Sequence, residues 1–443
     1  VKKFRALFVL ISLITLLAAC SGETSNETSN DSGKIELTFW HSMGGNGGEG
    51  VEELVKRFNE QSDTVHVTAE YQGSYDDTLT KLRNATNGSN VGADVVQVFE
   101  VGARNMIDSG LIVPVQEYID KTGYDINQIE PNLAAYYTID GKLNSMPFNS
   151  STPLLYYNKD MFEKAGIEEA PSSLEELKEI APKLMGDGGA NMAISMSIYG
   201  WWFDQWMSKQ EMDMFNNGNG RESTPTKVIF DENKGIQNAL VAWKELFDAG
   251  YAPNVGRKGG QPEFVSGESA MTFASTASLR NILDEVGDKF EVGTAYFPGI
   301  NEEDAGGVSI GGASLYMIDS GDEAKKDATW EFIEFMISPE SQAYWNAKTG
   351  YFPITIAAHD QQEFKENLEK YPQFQTAIDQ LHDSNAEAQG GLSTVYQEIR
   401  QIEEAELENM LNGSTTPEQA AQNIANQANT AIENYNRVNN VGN

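Results

Sequence analysis

Residues 94–99 read Asp-Val-Val-Gln-Val-Phe, a nearly continuous apolar run with the carboxylate of Glu100 directly behind it. Such a run, with little polar alternation, suits a strand buried on both faces, as in a parallel sheet covered by helices. The segments upstream supply its companions. Residues 35–40 alternate like a strand, the stretch from Gly44 to Gly50 reads as a glycine-rich turn, and Val51, Leu54, Val55 and Phe58 then keep a helical period. A second strand is predicted over residues 65–71. Strand, helix, strand, helix, strand predicts an open α/β sheet, whose ligands bind beyond the carboxyl ends of its strands. At 443 residues the chain predicts two domains.

Later segments repeat the theme. Ser173 followed by Glu176 is a capping signal for a helix carrying Leu174, Leu177, Ala181 and Leu184, and residues 269–275 and 308–318 read as strands. Thr416, Pro417 and Gln419 open a long helix with the stripe Ala421, Ile424, Ala425, Ala428, Ile432 and Tyr435. A formal net charge of -35 argues against nucleic-acid or anionic-membrane binding through the body of the protein. Four scattered histidines show no metal spacing, and a single cysteine excludes an internal disulfide framework. At the N-terminus, Lys2, Lys3 and Arg5 precede an apolar run from Ala6 to Ala19, which reads as a secretory signal. It ends in Leu-Ala-Ala-Cys, so residues 1–20 are expected to be a lipoprotein signal with its lipobox, Cys20 the lipidated residue, and the polar residues 21–34 a flexible tether.

The turns after the strands mix aromatics with hydrogen-bonding groups. Asn149, Ser150, Ser151 and Thr152, fenced by Pro147 and Pro153, read either as a turn or as neutral donors aimed at a polar ligand. Residues 198–206 (Ile-Tyr-Gly-Trp-Trp-Phe-Asp-Gln-Trp) offer aromatic faces suited to the C–H faces of a polyol, or simply a core. Gly311 and Gly312 could approach a phosphate through their amides or mark a bulge. Arg400 could offer a planar fork to a phosphate or pair with Glu398, Glu403 or Glu404 on a helix surface. Glu100, at the end of an apolar strand, must face a cleft, a partner or water.

Collinear blocks then decide the resemblance: F-W-H-S-M at 39–43, Q-V-F-E-V-G at 97–102, P-F-N-S-S-T-P-L-L-Y-Y-N-K-D at 147–160, V-G-R-K at 255–258, A-M-T-F-A-S at 270–275, I-G-G-A-S-L at 310–315 and K-T-G-Y-F-P-I-T at 348–355. Across nearly the whole mature chain the sequence resembles the extracellular solute-binding proteins (family 1) of ABC importers, among them the members that bind sn-glycerol 3-phosphate. The resemblance implies the two-lobed, type II periplasmic-binding-protein-like fold, with the cleft between lobes made of residues 35–147 with 276–327 and 148–275 with 328–443. It implies ligand contacts from Tyr75, Glu100, Ser151, Trp201, Ser275, Gly312, Tyr351 and Arg400: the phosphate held by Arg400, Tyr75, Tyr351, Ser275 and the Gly312 amide, the hydroxyls oriented by Glu100. Asn149 and Thr152 are left as turn-makers. The sequence departs from the family's W-x-G-W pattern, with Ile198 at the first tryptophan position, which leaves Tyr199 and Trp202 as alternative substitutes for the stacking wall.

The implied function is a lipid-anchored substrate-binding protein on the outer face of the bacterial cell membrane. It would capture sn-glycerol 3-phosphate or a glycerophosphodiester as a monomer, without catalysis, cofactor or metal, for a permease with ATPase subunits. Two rivals stand beside it: an oligosaccharide-binding protein of the same fold, which needs no cationic clamp, and a secreted hydrolase using Glu100 and Asp204 as paired carboxylates.

Overall fold

A computed structural model of the chain describes residues 33–85, 91–186, 189–385 and 389–439. The expected signal segment, Cys20 and the tether up to residue 32 lie outside the described residues. No helix among the described residues is long and apolar enough to cross a membrane.

Two sheets organise the two lobes of a mixed α/β fold. The first takes β1 (Ile35–His41), β2 (Val65–Tyr71), β3 (Val95–Phe99) and the short β4 (Ile112–Val113). After a small hairpin of β5 (Thr138–Ile139) and β6 (Lys142–Leu143) it adds β7 (Met146–Ser151). The second sheet takes β8 (Pro153–Asn158), β9 (Met192–Ser195), β10 (Ser269–Ser275) and β11 (Val292–Tyr296), and β12 (Gly311–Ile318) returns to the first. Strand order is β2-β1-β3-β12-β4 in the first sheet, with β7 also paired to β12, and β11-β8-β10-β9 in the second. β1, β2 and β3 are parallel; β3, with its nearly continuous apolar run, is buried at all five residues, whereas β1 and β2 alternate between core and more exposed positions.

The chain leaves the first sheet at Ser151 and enters the second at Pro153, so Thr152 is the crossing residue. A second crossing at Thr276 lies against it: Thr276 N donates to Thr152 O (2.8 Å) and Thr152 N to Thr276 Oγ1 (3.4 Å). The expected turn at 149–152 is therefore a pair of buried strands meeting at the hinge, and Asn149 and Thr152 are not turn-makers. Four consecutive small polar side chains suit this place because a crossing strand is covered on both faces and must find hydrogen bonds inside the protein.

Three other expectations shift. The glycine-rich stretch opens the helix Gly45–Gln61 instead of forming a loop, since Gly50 lets the helix approach Trp345: a Cβ there would sit 2.9 Å from the indole. The segment 276–327 does not stay with the first lobe, because β11 within it pairs with β8. Nor does 328–443 move as a block to the second: helices Glu323–Met336 and Pro339–Thr349 pack on the first lobe, where Phe332 meets Phe39 edge-on at 5.5 Å. A hydrophobic side chain commits a helix to whichever sheet offers it a matching groove, and sequence order does not disclose which. The C-terminal helices Tyr396–Leu411 and Pro417–Val438 do belong to the second lobe, packed on each other and on the helix Gly235–Asp248. The last of them starts on the expected capping box: Gln419 N donates to Thr416 Oγ1 (3.3 Å) and Thr416 N to Gln419 Oε1 (3.1 Å).

Candidate functional site

Seven of the eight expected residues, Tyr75, Glu100, Ser151, Trp201, Ser275, Gly312 and Tyr351, line one cleft of about 290 Å³ at the junction of the lobes. That is near the lower bound of small-molecule sites, roughly 300 Å³. Arg400 lines an adjoining pocket of similar size that shares Tyr75, Phe99 and Tyr199 with the first. A larger cavity, about 570 Å³, opens between Leu79, Leu82, Arg83, Glu398 and Tyr435 and holds none of the expected residues.

The first lobe's wall grows from the ends of its strands. β3 delivers Phe99 and then Glu100, which opens a 3-10 turn and is buried. Tyr75 begins the helix Tyr75–Ala85 and stacks on Phe99, with ring centroids 5.2 Å apart and planes 4° from parallel. Its hydroxyl accepts from Asn149 Nδ2 (2.8 Å), while Asn149 Oδ1 accepts from Gln97 Nε2 (2.8 Å) and Gln97 Oε1 from Ser42 N (2.8 Å). Asn149 thus anchors the tyrosine rather than a turn. Burial, followed by the neighbouring Tyr351, pushes the Tyr75 hydroxyl well above its usual range, so it is a neutral donor at every working pH. Tyr351 stacks on Trp345 at 5.8 Å and is likewise raised by burial. Ser275 Oγ accepts from Ala277 N (3.2 Å), which leaves its proton to donate elsewhere.

The second lobe supplies the aromatic wall. Ile198 is buried in the core, whereas Tyr199, Trp201 and Trp202 line the cleft. Tyr199 and Trp202, whose rings meet edge-on at 5.7 Å, are the aromatics beside Ile198 that reach the cleft. Trp201 presses against the backbone of the opposite lobe: a Cβ on Gly311 would lie 2.5 Å from Trp201 Cζ2. That approach, rather than a phosphate, accounts for Gly311.

Arg400 departs most from expectation. Its Nη1 donates to Glu100 Oε1 at 2.8 Å, its Nε to Asp204 Oδ2 at 2.9 Å, and its Nη2 to the same Asp204 oxygen. Asp204 also accepts from the Tyr396 hydroxyl at 2.5 Å. Arg400 is therefore neither an open clamp nor a surface pair with its helical neighbours; Glu404 pairs with Arg257, whose guanidinium lies 5.1 Å over the Tyr199 ring. Burial works against the Arg400 charge, but Asp204 and then Glu100 outweigh it and hold its pKa well above the usual value. Glu100 is raised by burial and pulled back by Arg400. Because Glu100 belongs to the first lobe and Asp204 and Arg400 to the second, the ion pair bridges the floor of the cleft.

One turn beyond Arg400, Glu403 is fully buried, and neither of its oxygens has a hydrogen-bond partner among the described residues. Burial, then repulsion by Asp204, pushes its pKa well above the usual 4.5. A carboxyl that keeps its proton when folded and loses it near that value when unfolded favours the unfolded chain increasingly as pH rises above 4.5. Replacing Glu403 by Leu is accordingly expected to raise stability at pH 8 by about 1–3 kcal/mol, the usual penalty of an unsatisfied buried polar group. The gain should be smaller at pH 4, where the unfolded carboxyl is protonated too; urea unfolding at the two pH values measures it.

Sequence reasoning does not reveal Asp204, Tyr396 and Glu403 as the buried neighbours of Arg400; Asp204 enters it only as a hydrolase acid. A signal existed: Asp204 is the one acidic residue in a helix that carries three tryptophans and a phenylalanine, and Tyr396, Arg400 and Glu403 fall on the inward face of the helix that carries Ile399 and Leu407.

The model of bacterial extracellular solute-binding proteins matches residues 53–376. The chain belongs to that family. Its relatives include the sn-glycerol-3-phosphate-binding periplasmic protein UgpB of Escherichia coli, 32% identical over 409 residues, which cover 90% of this chain and 93% of that one. UgpB of Pectobacterium atrosepticum is 32% identical over 414 residues, covering 90% and 92%. Among solved structures, UgpB of Mycobacterium tuberculosis in complex with glycerophosphocholine superposes with a TM-score of 0.76 at 26% identity, over 91% of this chain and 99% of that chain. The sugar-binding protein MalE of Xanthomonas citri, at 22% identity and a TM-score of 0.75 over 92% and 100%, shares the fold of this solute-binding protein.

Proposed function

We propose that this solute-binding protein captures sn-glycerol 3-phosphate or a glycerophosphodiester and delivers it to the permease and ATPase subunits of an ABC importer, held by a lipid on Cys20 at the outer face of the membrane. The observation that carries the reading is the gathering of Tyr75, Glu100, Ser151, Trp201, Ser275, Gly312 and Tyr351 around one cleft between two lobes, in a chain 32% identical to a glycerol-3-phosphate-binding relative. Hydroxyl donors on one side and aromatic rings on the other suit an anionic, short-chained polyol ester. Glu100 would accept from the glycerol hydroxyls, while the phosphate oxygens would take the neutral donors and the unspent N–H groups of Arg400. Ligand contacts made to both lobes at once are worth more in the closed form than in the open one, and that difference alone drives closure. The closed form would be the shape the permease reads.

Titration calorimetry of the purified protein with glycerol 3-phosphate, glycerophosphocholine and maltose tests the reading. Saturable heat from a glycerophosphate compound and none from maltose is the expected result. Binding of maltose alone would keep the fold and replace the ligand class by the sugars.

A further inference from the structure

The cleft and its adjoining pocket contain few unmatched positive charges for an anion to use. Their charged lining residues are Asp76, Glu100, Glu404, Arg257 and Arg400, three carboxylates against two guanidiniums. Arg257 is taken by Glu404, and Arg400 is shared between Glu100 and the buried Asp204 behind it. Asp204 Oδ2 accepts from Arg400 Nε and Nη2 and its Oδ1 from the Tyr396 hydroxyl, three contacts that suit an acceptor carboxylate; burial pushes its pKa up, and Arg400 and Tyr396 oppose that push. We infer that Asp204 and Glu100, by neutralising Arg400, make the cleft select a phosphodiester monoanion over a phosphomonoester dianion, with Asp204 as the positioning residue that sets the preference.

The inference rests on the glycerophosphate reading above and narrows it. A diester shares one negative charge over two free oxygens, which neutral hydroxyls such as those of Tyr75, Tyr351 and Ser275 can serve. A monoester above its second ionisation, near pH 6, brings another charge into a buried site where two carboxylates already face one guanidinium. Space agrees with charge. The adjoining pocket, also about 290 Å³, continues from the cleft past Tyr75, Phe99 and Tyr199 and would receive the esterified head group of a diester; a monoester has nothing to put there.

Calorimetric titration of the whole protein at 0.15 M salt, with glycerol 3-phosphate and with glycerophosphoglycerol, whose head group is uncharged, separates the outcomes. At pH 8 the diester is expected to bind at least tenfold more tightly. Lowering the pH to 5.5 should tighten the monoester severalfold, as it becomes a monoanion, while leaving the diester nearly unchanged. The titratable groups facing Arg400 are Glu100, Asp204, Glu403, Tyr396, Tyr199 and Tyr136, and the diester, whose own charge is constant, reports their contribution. Asp204→Asn should narrow the diester preference at pH 8 about tenfold and Asp204→Glu should retain it. Both ligands are titrated into the same preparation, so a partly folded variant leaves the ratio readable. Equal affinities in the unaltered protein at pH 8, or a ratio untouched by Asp204→Asn, would overturn the inference while the glycerophosphate reading stood. Failure of both compounds to bind would instead overturn that reading, and the inference with it.

Discussion

Arg400→Ala is expected to lower the unfolding free energy by about 3–5 kcal/mol at pH 7.5 and to abolish detectable binding of glycerophosphate compounds. The magnitude is that of removing one partner from a buried ion pair, which strands the other charge away from water. Here two carboxylates are stranded, since Glu100 and Asp204 are 6% and 3% exposed and both lean on this guanidinium. The pH dependence gives the loss its signature. With Arg400 gone, burial raises the carboxylate pKa values further, so each group takes up a proton more readily in the folded than in the unfolded chain. The deficit relative to the unaltered protein should therefore be largest above pH 7 and shrink as the pH falls toward 4 and both carboxyls become neutral. Urea unfolding between pH 4 and 8 reads that slope. A second variant separates charge from packing: Arg400→Met combined with Asp204→Asn and Glu100→Gln removes the stranded charges together with the guanidinium and should recover most of the stability but none of the binding. A deficit independent of pH, or undiminished in the triple variant, would mean that Arg400 serves mainly as packing.

This network also shows where sequence reasoning stops. Strand β3 was legible because a nearly continuous apolar run has one comfortable home, and the helix caps at Ser173 and Thr416 were legible because their partners lie three residues away. The cleft residues were legible as family positions at strand ends, and the structure gathers seven of them around one cavity. The partners of Arg400 were not. Asp204 is 196 residues distant and Glu100 is 300, and which acid meets which base is fixed only when the lobes fold onto each other. The same holds for Asn149, whose amide looks like a turn signal between two prolines and instead links Gln97 to Tyr75 across the sheet. The lobe boundaries failed for a related reason: helices after β12 return to the first sheet because Phe332 and Trp345 find their aromatic partners there, a matter of three-dimensional fit rather than chain order.

Gly312→Ala is expected to cost about 2–6 kcal/mol of stability and to weaken ligand binding at least tenfold. Gly312 has φ +91°, a conformation that L side chains rarely adopt, and a methyl placed there would lie 2.0 Å from Asn149 O and 3.1 Å from Ser150 Cα. Both neighbours are backbone of the paired strand β7, so no side chain can rotate away. The conformational strain contributes about 1–3 kcal/mol and the overpacking about as much again. Relief requires β7 to move off β12, which carries Asn149 away from Tyr75 and displaces Ser151 from its place beside Gly312 in the cleft. Stability and binding should therefore fall together. Gly413→Ala provides the control: its φ of +78° imposes a similar backbone penalty, but a methyl there meets nothing within 4 Å, and it follows the helix Tyr396–Leu411 away from the cleft. That variant should lose about 1 kcal/mol and bind normally. Urea unfolding and calorimetry on the two variants isolate the contribution of the strand contact, and equal losses in both would remove the pairing of β7 and β12 at Gly312 as a determinant of the cleft.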